Sequence, residues 1–208
     1  MVQKVLLLVI GVVVLNSCGG MKKVLANFSV HEQDMILEKD SVMPMRVLKI
    51  TNKKDSIVLR TASKKVVANP HDQVLKHFVS RLYKTVTDKM SMGVGIAAPQ
   101  VGVLKNIIWV QRFDKEGFPF EVYLNPVITH FTKQKQDCME GCLSIPNRRD
   151  KTTTRAYAIV LEYDKMDGTH HTELIEAFTA VIFQHEIDHL NGILYLDHLK
   201  QEIQDAKE

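Results

Sequence analysis

The chain has 208 residues, 45% of them hydrophobic and 25% charged, with a formal net charge of +3. Those proportions suit a globular protein with one main domain and a sizeable core, and they exclude a disordered chain or a small disulfide scaffold. Lys53-Lys54 and Lys64-Lys65 are isolated basic pairs rather than a dense run, so nothing argues for nucleic-acid binding.

Lys4 precedes Val5–Leu15, a stretch made only of apolar residues and Gly. It is too short to span a bilayer comfortably and has the length of a signal-peptide hydrophobic region. The following Leu15-Asn16-Ser17-Cys18-Gly19 resembles a bacterial lipoprotein signal, in which the Cys becomes the lipid-bearing first residue, although Asn16 is an unusual choice there. Residues 1–17 are therefore read as a signal peptide. A lipid on Cys18 would hold the protein to a membrane, facing the periplasm or the exterior. Plain secretion, a buried N-terminal strand, and a cytoplasmic protein starting at Met21 are the alternatives. Residues 18–43 are polar without clear period and read as a tether or arm. The domain is expected over 44–200, and 201–208 as a charged tail.

Within the domain, Val47–Ile50 and Ile57–Arg60 are candidates for short strands or turns. Asn69 and Pro70 suit the N-cap and first position of a helix. Leu75, Phe78, Val79, Leu82, Val86 and Met90 keep a 3.6-residue period through that helix, which stops before Gly93. Gly93–Gly102 reads as a loop of small residues that lets something approach closely. Strands are expected at Ile107–Val110, at Val122–Leu124 (ended by Asn125-Pro126) and at Val127–Lys133. Tyr157, Ile159, Leu161 and Tyr163 alternate in a strand leading to the Asp167-Gly168 hairpin signal, with a return over His170–Ile175. A helix over Phe178–Asn191 follows, closed by Asn191-Gly192. Strands with two substantial helices make the class α+β.

His185, Glu186 and His189 form H-E-x-x-H inside that last helix. Helical spacing stacks residues i and i+4 on one face, so the two imidazoles can grip one metal ion. The carboxylate beside the first His can act as proton carrier for an activated water. A catalytic centre of this kind takes three protein ligands. Downstream of His189, Asp197, His198 and Glu202 do not suit the third ligand of an ordinary zinc peptidase. Upstream, Glu140-Gly141-Cys142-Leu143-Ser144 offers a thiolate; the alternative for Cys142 is a small buried apolar residue. If Cys18 carries lipid, only Cys138 and Cys142 remain, four residues apart, and a disulfide framework is not the natural reading.

GVGIAAPQ (Gly93–Gln100), EGCLS (Glu140–Ser144) and QHEIDH (Gln184–His189) occur in that order and together resemble the three signature motifs of the peptide deformylase family. Leu124-Asn125-Pro126 and His189–Gly192 fit as well. Val47–Val66 looks like a stretched form of the family's opening segment, and the resemblance runs from about Met45 to Leu199. It implies antiparallel sheets packed around the helix that carries H-E-x-x-H, plus one long N-terminal helix. It further implies removal of the formyl group from the N-terminal formyl-Met of peptides or nascent proteins, releasing formate. Cys142, His185 and His189 would bind a divalent metal, Fe(II) being the family's usual choice and Zn(II) or Ni(II) able to take its place. Glu186 would carry the proton, and the Gln100 amide and Leu143 N–H would hold the oxyanion. Around Gly95 the missing side chains would let substrate backbone pair with the segment. Ile96 and Ile182 would line the formyl-Met pocket or belong to the plain core. Glu140 resembles the family's acid behind the ligands, a solvent-exposed charge being the alternative. Asp188 is read as orienting a ligand, pairing with a basic partner or standing as a helix-surface charge, and Arg148 or Arg149 as a contact for peptide backbone or a solvated loop charge. Two other readings stay open: a lipoprotein that binds formyl peptides or metal without catalysis, and a general metallopeptidase.

Overall fold

The computed structural model describes residues 27–89, 91 and 93–205. The leader, Cys18, the alternative start at Met21, and Met90 lie outside the described residues. Two antiparallel sheets and five α-helices make up the domain among the described residues, α1 Val30–Leu37, α2 Lys53–Leu59, α3 Gln73–Val86, α4 Ala177–Leu190 and α5 Tyr195–Asp205. The larger sheet joins β1 Gly95–Ala97, β2 Ile107–Gln111, β3 Phe120–Phe131, β6 Ala158–Asp164 and β7 His170–Glu176 in the order β1-β2-β3-β6-β7. The smaller is a ribbon of β4 Lys135–Cys142 and β5 Ile145–Ala156.

Alternation along the strands explains where the core sits. Ile96, Ile107 and Leu124 point to one face, which packs on Leu75, Phe78, Val79, Leu82 and Val86 of α3. Their neighbours Ala97, Ile108 and Tyr123 point to the other face, against Ala180, Ile182, Phe183, Ile187 and Leu190 of α4. A sheet covered on both faces needs apolar residues at successive positions, hence the run Ile107-Ile108-Trp109-Val110. Each fully buried side chain such as Phe78 or Phe183 contributes about 1.5–3 kcal/mol. Helix α4 is buried almost all round, which is why it lacks a one-sided apolar stripe.

Several boundaries differ from expectation for identifiable reasons. Helix α3 starts at Gln73, because the Asp72 carboxylate caps it by accepting from Leu75 N–H at 3.0 Å. Asn69 instead folds a turn, accepting from His71 N–H at 2.9 Å. The 27–43 part of the expected tether is ordered against the core. Ser29 and Glu32 form a capping box for α1, Ile36 is fully buried, and the buried Arg81 guanidinium donates to the carbonyls of Met35, Ile36 and Met43. Ile57–Arg60 belongs to the end of α2, capped by Asn52, rather than to a strand. The loop reading of 93–102 gives way to β1 and a single 3₁₀ turn, Ala98–Val101.

Strand β3 does not stop at Asn125-Pro126. Its register slips between Leu124 and Val127, Asn125 takes φ 51°, and the Asn125 side chain bonds Val66 N–H, Val66 O and Asp164. Those bonds satisfy a bulge, where the missing N–H of Pro126 costs no ladder bond. The supposed charged tail is largely α5, whose Glu202 accepts from Thr153 N–H, Thr154 N–H and the Thr154 hydroxyl on β5. Gly192 ends α4 as expected, at φ 72°, and a Cβ there would lie 2.5 Å from the Arg60 carbonyl oxygen. Among the described residues no helix is long and apolar enough to cross a membrane.

Candidate metal centre

Helix α4 presents His185 and His189 one turn apart, with ring centroids 5.1 Å from each other. Cys142 ends β4 and turns at once into β5, pairing with Ile145, which aims its sulfur at the helix. Cys142 Sγ lies 3.1 Å from His189 Nε2. One ligand atom from each of Cys142, His185 and His189 lies within 4.8 Å of the others, close enough to share one ion.

His185 is turned by Glu140, whose Oε2 sits 2.8 Å from Nδ1 and leaves Nε2 for the centre. Glu140 is itself buried and tied down: Arg155 donates to it twice, at 2.8 and 2.9 Å, and the Thr152 hydroxyl donates at 2.5 Å. Burial pushes the Glu140 carboxyl upward, but the His185 and Arg155 hydrogen bonds outweigh it and hold Glu140 well below the usual carboxylate range. Arg155 continues to Asp188 at 2.6 Å, and Asp188 meets His198 at 2.8 Å. A buried ligand, acid and cation thus extend into a charged chain that ends at the surface of α5.

Burial resists charge on Cys142 as well, yet the two imidazoles press its thiol toward thiolate, the form that binds metal. Burial pushes the other way on Glu186, lifting its carboxyl to about 7. Glu186 Oε2 is buried with no hydrogen-bond partner among the described residues. A buried carboxylate oxygen without a partner, beside a thiolate and two imidazoles, fits a divalent cation with a reactive water and fits an apolar core poorly.

The Gln100 amide is oriented by its own neighbours. Its Oε1 accepts from Ala97 N–H at 2.9 Å, so Nε2 points to Ser144 Oγ at 3.2 Å and Cys142 Sγ at 3.6 Å. Gly95 lies directly over Glu186: a Cβ there would be 2.4 Å from Oε1. A cavity of about 740 Å³ opens onto this cluster, reached by Gln100, Cys142, Leu143, His185 and Glu186. Val94, Phe178, Val181 and Ile182 give it an apolar wall, and Lys49, Arg148 and Arg149 lie at its polar side.

The expected site residues therefore gather around one cavity, and their individual placements settle several open readings. Ile96 is fully buried on the α3 face and does not line the cavity; Val94 and Phe178 do, beside Ile182. Of the readings open for Asp188, the pairing with a basic partner is the one found, since it touches Arg155 and His198 and no metal-binding side chain. Arg148 is paired with Asp150, whereas the stem of Arg149 lies across Gly141. Cys138 and Cys142 are both free. Four residues of extended strand separate them by about 13 Å, nearly twice the roughly 7 Å that a disulfide tolerates between Cα atoms. Thr152, Arg155 and Lys49 also support the site. No local pattern marks them, since their partners lie at least a dozen residues away.

Residues 46–205 match the family model described as Polypeptide deformylase. The chain belongs to that family. A peptide deformylase of Leptospira biflexa is 35% identical over 163 residues, spanning 74% of this chain and 87% of the relative. One from Desulforudis audaxviator is 43% identical over 121 residues, 57% of this chain and 76% of the relative. Among solved structures, the Met-Ala-Ser-bound class I type b peptide deformylase of Acinetobacter baumannii superposes with a TM-score of 0.66 at 30% identity, covering 76% of this chain and 99% of that one. The peptide deformylase of Thermotoga maritima gives 0.65 at 31%, covering 74% and 97%. The α+β reading with antiparallel sheets thus holds, and the chain is an enzyme of the deformylase class acting on peptides. The family is metal-dependent, and Cys142, His185 and His189 form a group that could hold its ion.

Proposed function

We propose that the chain removes the formyl group from the N-terminal formyl-Met of peptides, releasing formate. The observation that carries this reading is the convergence of Cys142, His185 and His189 with a buried Glu186, whose Oε2 has no partner among the described residues, beside one cavity. A divalent metal on the three ligands would supply Lewis acidity and lower the pKa of a water to about 7. Iron(II), the usual family metal, suits one thiolate and two imidazoles; zinc(II) and nickel(II) suit them too.

The remaining work falls to the chain. Among the described residues strand β1 is an edge strand that pairs with β2 alone, so its other side can take an added peptide strand beside the cavity. Val94, Val181, Ile182 and Phe178 offer an unbranched thioether side chain an apolar wall. Glu186 takes a proton from the attacking water and returns it to the leaving amine. The Gln100 amide and the Leu143 N–H hold the developing oxyanion. Met-Ala-Ser, bound in the Acinetobacter baumannii relative, is what deformylation of formyl-Met-Ala-Ser would leave.

Formyl-Met-Ala-Ser incubated anaerobically with the iron(II)-loaded protein is expected to yield formate, while Met-Ala-Ser stays intact. Cleavage of Met-Ala-Ser would favour a general metallopeptidase, and absence of formate would favour a non-catalytic binder. Against the metallopeptidase stands His198, which is engaged by Asp188 and Arg155 rather than turned to the centre.

The address rests on Val5–Leu15 and Cys18. We propose a lipid-anchored protein, with formyl peptides outside the cytoplasm as its substrates. Labelled palmitate is expected in the full-length protein expressed in bacteria and lost in Cys18→Ser; an unlabelled protein beginning at Met21 would favour the cytoplasm instead.

A further inference from the structure

Residues 48–50 form neither helix nor strand, yet their polar groups are committed to the segments around Cys142. Leu48 N–H donates to the Gln100 carbonyl at 2.7 Å and Ile50 N–H to the Ser144 carbonyl at 3.0 Å. Between them, Lys49 Nζ donates to the Leu143 carbonyl. The Lys49 N–H is held by Asp55 Oδ2 at 3.0 Å, and Asp55 is gripped by both terminal nitrogens of Arg46, at 2.8 and 2.9 Å. Lys49 is thus anchored at its backbone and spends its charge on one peptide group.

That peptide group has a second end. The Leu143 carbonyl and the Ser144 N–H belong to the same amide, and Ser144 N–H points to Cys142 Sγ at 3.4 Å. A cation on the carbonyl draws electron density through the amide and makes the N–H a stronger donor, because chained hydrogen bonds polarise one another. We propose that Lys49 is a positioning residue for the metal centre, strengthening through the Leu143–Ser144 peptide the hydrogen bond received by the Cys142 sulfur and so reducing that sulfur's electron donation to the metal. A less donating thiolate leaves the cation a stronger Lewis acid. The inference rests on the metal-centre reading above. Gln100 Nε2 donates to the same sulfur at 3.6 Å, so Lys49 sets one of two donors.

The test uses the full chain loaded with cobalt(II), whose thiolate-to-metal charge-transfer absorption reports the energy of the sulfur electrons. Hydrogen bonds lower that energy, so Lys49→Met is expected to move the band to longer wavelength, and Lys49→Arg to restore it. Lys49→Gln keeps a donor without charge and serves as a second variant, expected to shift the band in the same sense by less. Turnover of formyl-Met-Ala-Ser in Lys49→Met is expected to fall about tenfold, the low end for partners behind a metal ligand, with KM unchanged. A band at the wild-type wavelength in Lys49→Met overturns the proposal. So does a raised KM with the band unmoved, which would make Lys49 a contact for substrate. A wild-type protein that binds cobalt(II) without any sulfur band would instead remove Cys142 from the centre, a failure of the underlying reading and not of Lys49 alone.

Discussion

Glu186→Gln is expected to lower deformylation of formyl-Met-Ala-Ser by about 10²–10⁴-fold, the usual worth of a positioned acid–base group, with metal content unchanged. The two residues have the same shape, so the buried site keeps its packing, and neither His185 nor His189 is disturbed. Only the capacity to take and return a proton goes. The position of Glu186 makes that capacity useful near neutral pH. Burial lifts its carboxyl to about 7, and the charge of a bound cation would draw it back down, leaving it able to accept a proton under ordinary conditions. Gln carries no charge to bury, although its amide meets the same lack of a partner, so Glu186→Gln is expected to melt close to wild type. Metal analysis beside steady-state kinetics checks both halves. A variant that loads metal and retains more than roughly half of wild-type turnover would take the proton-carrier role away from Glu186.

The parts of this site that the sequence reveals are those whose geometry is local. His185, Glu186 and His189 lie within one and a half turns of helix, so their spacing alone puts them together. The β6–β7 hairpin is equally local: alternation in Tyr157–Tyr163 and the Asp167-Gly168 turn suffice. Cys142 joins the two His residues only through the resemblance of the three motifs, because nothing in the intervening sequence says which way β4 and β5 will fold. The link that joins Glu140 to Asp188 and His198 is hidden for the same reason. Glu140 is marked by the resemblance, but Arg155 looks like an ordinary surface charge until β5 brings it under α4. Helix α1 failed differently. Ser29 and Glu32 carry a capping-box signature, but with few apolar positions behind it the segment reads as polar; what fixes it is Arg81, forty-five residues on, collecting the carbonyls at its end. Asn125-Pro126 misled because a strand-breaking pair is harmless where side-chain bonds build a bulge.

Gly95→Ala is expected to reproduce most of the Glu186→Gln defect without touching an ionisable group. The methyl group would lie 2.4 Å from Glu186 Oε1 and 2.9 Å from both Cδ and Cγ. No real Cβ sits so close, so the carboxylate must swing away, and its buried surroundings leave it little room. A displacement of about 1 Å at a reacting group is worth on the order of 100-fold in rate, and a loss of that size in kcat is expected. Metal content should hold, because the three atoms nearest the added methyl all belong to Glu186. The backbone of Gly95 has no left-handed φ to defend, so the glycine is there for space and not for conformation. That distinguishes this position from Gly192, where both reasons apply. The double variant Gly95→Ala with Glu186→Gln supplies the decisive comparison: if the methyl acts only by displacing the proton carrier, the double variant is no slower than Glu186→Gln alone. Multiplied losses in the double variant would mean that Ala at 95 harms something else, such as the seat of the peptide along the β1 edge.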